Sequence, residues 1–229
     1  MQNVLYHFRF ADGRSAALGN AKRPAADAAT LPDWTRLDFH QCPNCPLTPH
    51  STPHCPMAAD LVELVQTAGA LSSYEEVEVR VETAERNVDK RTTVQRAAGA
   101  LMGLLAAGSD CPHVAFLKPM AHFHLPFATA EENLYRVVSS YLLAQYLRQQ
   151  AGLEADWALA GLKRSSEAMQ VVNAAMAERL RAAARKDGAI NALVLLDLLA
   201  KALPYSIDEQ MAEIKILFAA QLDGAAAAP

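Results

Sequence analysis

Between Asn3 and Phe10 apolar and polar residues alternate, with Val4, Tyr6, Phe8 and Phe10 on one side and Leu5, His7 and Arg9 on the other. A period of two is that of a strand covered mainly on one face. Ala11-Asp12-Gly13 then supplies a hairpin turn, and the Gly, Ala and Pro-rich residues 19–32 read as loop. Alternation returns from Trp34 to His40 and predicts a strand that delivers the chain into Cys42. From Tyr74 to Thr83, Val77, Val79 and Val81 alternate with Glu76, Glu78, Arg80 and Glu82, which predicts an antiparallel strand with one wet face.

A helical period opens at Pro56, with Met57, Leu61, Leu64 and Val65 on one stripe, so Cys55 falls at the N-cap and Pro56 at the favoured first position. The dipole of that helix is expected to favour a thiolate at Cys55. A second helix runs from Thr92 or Thr93 to Ala107, nearly apolar all round after Arg96, and stops at Gly108. Its Gly99-Ala100-Leu101-Met102-Gly103 spacing predicts close approach of another element. Residues 111–126 read as an extended segment.

Beyond that point the pattern is helical throughout. Thr129 and Glu132 form a capping box for a helix to Gln150, closed by Gly152. A long helix is expected over 156–186, bent at Gly161, then a buried helix over 189–203 halted by Pro204. Ser206 with Glu209 caps a last helix to Leu222. The order of elements predicts an α+β fold: a small antiparallel sheet with helices in the N-terminal half, followed by an α-helical bundle. The expected division is residues 1–125, a cysteine-rich metal-binding part, and residues 126–229, a bundle packed against it.

Composition narrows the function classes. At 229 residues with 52% hydrophobic residues, the chain is long enough for a sizeable core. A formal net charge of -4 leaves no basic field for nucleic acid. The longest apolar runs, 97–107 and 190–203, fall short of the roughly 20 residues of a bilayer span, and the second contains Asp197. The start of the chain lacks the pattern of a secretory signal, so a cytoplasmic location is expected, where four cysteines suit metal better than disulfides.

All four cysteines, Cys42, Cys45, Cys55 and Cys111, are followed directly by proline. At ordinary proline usage that coincidence arises in about one chain in 10⁵. Proline stiffens and turns the chain just after each sulfur. Cys42 and Cys45, three apart, form a common ligand pair, while Cys55 and Cys111 arrive singly, unlike the paired knuckles of a zinc ribbon. These four are the candidate ligands, and an iron–sulfur cluster for electron transfer or redox sensing is the leading expectation. The alternative is a Cys₄ zinc staple in an interaction or regulatory module. Copper(I), with Met57, Met120 or histidines as further ligands, and unliganded thiols complete the choices.

Four thiolates on a cluster leave no open iron for substrate, and no Walker A loop, G-x-G-x-x-G or H-E-x-x-H is present, so the sequence leans away from an enzyme. A protein partner is compatible with either reading. His122 and His124, two apart in the expected extended segment, would share a face and offer a second metal site; a structural or supporting role is favoured, as for His113 beside Cys111. His50 and His54 lie in the cysteine loop. Trp34, Phe39, Phe116, Phe123 and Phe127 would keep water from a cluster or simply fill the core.

Overall fold

The computed structural model describes residues 2–21, 30–183, 191, 211 and 214–222. Strands β1 (Leu5–Arg9) and β2 (Ser15–Gly19) form the expected hairpin, its turn made by Gly13 at φ 89°. Short helices α1 (Pro56–Asp60) and α2 (Val62–Ala68) follow, then strands β3 (Glu76–Glu82) and β4 (Asn87–Thr93). The sheet is antiparallel with order β2-β1-β3-β4. Tyr6 lies opposite Val81 and Phe8 opposite Val79, so the two alternating patterns meet on one face. That face is buried: Val4, Tyr6, Phe8, Val77, Val79 and Val81 are each at most 6% exposed. The other face carries solvated ion pairs, Arg80–Asp89 and Arg91–Glu76, which solvent screens and which add little to stability.

Helix α3 (Val94–Gly108) buries Ala97, Ala98, Leu101, Met102 and Leu104 in the same core as the sheet. A 3₁₀ segment (Pro112–Leu117) leads into α4 (Lys118–His122), α5 (Ala130–Gln150) and α6 (Ala160–Ala183). The architecture is α+β, as the order of elements predicted. Met169, Val172, Met176 and Leu180 of α6 join the core of the sheet and α3. A second, smaller cluster holds Leu134, Val137, Val138, Leu162 and Ile214. No single described helix is long and apolar enough to cross a membrane.

The capping box of α5 forms as read: Glu132 N–H donates to Thr129 Oγ1 at 3.1 Å and Thr129 N–H to Glu132 Oε2 at 2.7 Å. Gly152, at φ 72°, closes that helix. Several expectations are corrected. The helix from Pro56 is two short helices broken at Leu61. Residues 34–40 make no strand but a 3₁₀ turn (Asp33–Thr35), a bridge of Arg36 to His54 and a turn ending at His40, φ 46°. Residues 112–122 are helical rather than extended, because Pro112 and Pro119 each sit in a first helical turn and preset its φ.

Helix α6 starts at Ala160 rather than Asp156. The Asp156 carboxylate accepts from Ala158 N at 3.1 Å, Gly161 N at 2.6 Å and Tyr141 Oη at 2.9 Å, and these bonds, the one from Gly161 foremost, hold its pKa below the usual value. Gly161 is there because a Cβ would strike the Tyr141 hydroxyl, not because the helix bends. The helix expected over 189–203 and the capping box of Ser206 and Glu209 lie outside the described residues.

Candidate metal centre

The loop that carries the first three cysteines is pinned at its base. Leu37 N–H donates to Pro53 O at 2.8 Å and Cys55 N–H to Thr35 O at 2.7 Å, so residues 35–37 run antiparallel to 53–55. Burial of Thr35 (0% exposed) and Leu37 (1%) anchors this ladder in the core. His54 Nδ1 lies 2.7 Å from Thr35 Oγ1, whose own proton goes to Pro32 O, so the imidazole is the donor. Within the loop, Cys42-Pro43-Asn44-Cys45 is a tight turn closed by Cys45 N–H donating to Cys42 O at 2.9 Å. Proline at its second position presets the φ such a turn needs.

Cys55 and Cys111 are delivered by one device used twice. Each is the N-cap of a helical segment, with φ/ψ of −63°/119° and −67°/125°, and each is followed by proline in the first turn. Neither thiol makes a capping hydrogen bond, so the expected gain from the helix terminus at Cys55 is not visible as a bond. At Cys111 the amides of His113 and Val114 favour the thiolate, but burial outweighs them and raises the pKa.

Cys42 and Cys111 each feel other cysteines of the chain. Burial, followed by the neighbouring Cys55, Cys45 and Cys111, pushes the Cys42 thiol up to about 11. Cys111 in turn feels Cys55 and Cys45. Cys55 and Cys111 are buried in the main core, and the half-buried Cys42 and Cys45 pack against it. All four are free of disulfides. Among the described residues, no group of three or more His, Cys, Asp or Glu side chains is arranged to hold a metal ion as it stands. The four cysteines thus share one core cluster or its margin without being in coordination geometry.

Beside them lies Arg179 of α6, 1% exposed. Its guanidinium donates to Trp34 O at 2.8 Å, Arg36 O at 2.6 Å and Leu37 O at 3.0 Å, the carbonyls that lead into the cysteine loop. This side chain replaces the sheet partner expected for residues 34–40. Its Nε–H has no acceptor. Burial lowers its pKa, and the nearby Cys55, Cys42 and Cys45 act in the opposite direction. Sequence reasoning missed Arg179, although it falls on the apolar stripe of Met169, Val172, Met176 and Leu180.

The histidines support rather than extend the group. His113 Nε2 donates to Asn44 O at 2.8 Å, and Asn44 Nδ2 donates to Ala168 O at 3.1 Å, clipping the Cys42–Cys45 turn to both the Cys111 segment and α6. His122 and His124 do not share a face. His122 is exposed at the end of α4 with its ring against Phe123, and His124 shares a 2.6 Å hydrogen bond with the buried Tyr6 hydroxyl. Burial, with Arg136 nearby, drops the His124 pKa to about 4, so it is neutral at pH 7. We expect a His122→Ala/His124→Ala double variant to keep the metal content of the parent; loss of one equivalent in elemental analysis would make this segment a site. Trp34, Phe116 and Phe127 pack against the main core, Phe39 lies edge-on to His40, and Phe123 is 73% exposed and shields nothing.

The family described as Domain of unknown function (DUF6901) matches the chain over residues 4–219. No curated protein and no solved structure shows a significant match to it.

Proposed function

The chain belongs to the DUF6901 family, and from that footing we propose that its four cysteines hold an iron–sulfur cluster used for electron transfer or redox sensing in the cytoplasm. The observation that carries the reading is the meeting of Cys42, Cys45, Cys55 and Cys111 from separate parts of the chain beside a fully buried arginine. Buried thiols such as Cys42 and Cys111, whose pKa is raised, are stable either as neutral groups or around a cation that stabilises their ionised form. A donor set of four soft thiolates suits iron–sulfur chemistry, and Arg179 would offset part of the negative charge of a four-thiolate centre. Cys42 and Cys45 are half-buried, which gives such a centre an edge near solvent for electron exchange with a protein partner.

The residues fit that group in number and chemistry, and a cluster would supply one-electron transfer. The chain's own part is to aim the sulfurs with prolines, exclude water with the core around Cys55 and Cys111, and offset charge with Arg179. Anaerobic purification tests the reading: a brown protein with iron and acid-labile sulfide in equal amounts is expected. A colourless protein with one zinc would replace it with the zinc staple, and a metal-free protein would remove both.

A further inference from the structure

A cavity of about 680 Å³ lies among α3, α4, α5 and α6, with none of the four cysteines in its described lining. That volume falls within the roughly 300–1,000 Å³ typical of small-molecule sites. From its composition we propose that the cavity binds an apolar monocarboxylate, a fatty-acid-like molecule with its chain among the methionines and its head at the mouth beside Arg96 and Lys90.

Five of the chain's seven methionines line it: Met57, Met102, Met120, Met169 and Met176. Methionine is unbranched, flexible and polarizable, so such a wall conforms to a chain with many rotamers better than a wall of β-branched residues would. Leu61, Leu134 and Val137 continue the apolar surface. Gly99 and Gly103 of α3 also line the cavity, where the absence of side chains widens it. The sequence read those glycines as a packing contact.

The polar lining has one sign. Lys90, Arg96 and Arg136 are cationic, and no Asp or Glu stands among the described lining residues, in a chain with 25 acidic residues against 21 basic ones. Lys90 and Arg96 sit where β4 runs into α3 and are exposed. Lys90 lies over the Phe127 ring at 5.4 Å, whereas Arg136 is committed to the carbonyls of Met120 and Phe123. An apolar interior with a cationic mouth selects an amphiphile with a negative head.

The test uses the purified full chain and dodecanoate below its micellar concentration, with dodecanol and dodecyltrimethylammonium as controls, followed by titration calorimetry. One dodecanoate per chain is expected, with at least about tenfold weaker binding of the alcohol and none of the ammonium. Arg96→Glu and Lys90→Glu, both at exposed positions, should weaken dodecanoate at least about tenfold while leaving the ligand-free melting temperature unchanged. Ala100→Phe, which adds bulk to the α3 wall, should block binding. Equal affinity for dodecanol and dodecanoate, parent-like binding by both charge variants, or binding only to phosphatidylglycerol vesicles and not to free dodecanoate would each overturn the proposal. The outcome is independent of what the cysteines hold.

Discussion

Cys111→Ser is expected to empty the proposed metal centre and to lower the melting temperature of the protein as purified by more than about 10 °C, at about 2–4 °C per kcal/mol for a chain of this size. Serine keeps the shape of cysteine and is a favoured N-cap, so it should sustain the helical segment at Pro112–Leu117 as well as the thiol does. What it lacks is a thiolate. A centre that exists only in the folded state adds its binding free energy to folding, about 10–16 kcal/mol in zinc peptides, which is comparable with the whole stability of a domain. Metal content and thermal melts of parent and variant are the readout, with the chelated parent as reference. The variant should melt where the chelated parent does. Full metal content with an unchanged melt would mean that Cys111 is not a ligand.

Arg179→Met is expected to destabilise the protein by about 3–5 kcal/mol even without metal, because it strands one buried and two part-buried carbonyls that a guanidinium now serves. That corresponds to a fall of about 6–20 °C in melting temperature. Arg179→Lys should recover only part of the loss, since an ammonium cannot reach as a planar fork. If the centre is a cluster, loss of the cation also disfavours the reduced, more negative state, so its potential should fall in Arg179→Met and be partly restored in Arg179→Lys. A melting temperature within about 1 °C of the parent would show that the carbonyls find other donors at little cost.

The elements that sequence made legible are those in which one face decides everything. Val77, Val79 and Val81 among acids, and Val4, Tyr6, Phe8 and Phe10, could only be strands over a core. The capping box at Thr129 and Glu132 is local chemistry and reads directly. β4 was not legible: Val88 is its one apolar residue, because it is a charged edge strand whose partner, not its pattern, makes it a strand. Residues 34–40 deceived for the opposite reason. Their alternation is real, with Thr35 and Leu37 buried, but their carbonyls are claimed by a side chain more than a hundred residues away, which no local pattern announces. The cysteine–proline pairs read directly as local backbone devices, a tight turn at Cys42–Cys45 and an N-cap at Cys55 and at Cys111. That Arg179 belongs with them follows only from the packing of α6.

The reach of Arg179 also sets an order of events during synthesis. Leu37 and Arg179 are 142 residues apart, which at about 5–20 residues per second is a wait of about 7–28 s on the ribosome. Cys42, Cys45 and Cys55 emerge early, yet the frame that seats their loop is incomplete until α6 has left the exit tunnel. For that interval they are loose thiols on an unfinished chain. If the thiols hold the proposed centre, its loading belongs to the end of translation or after it.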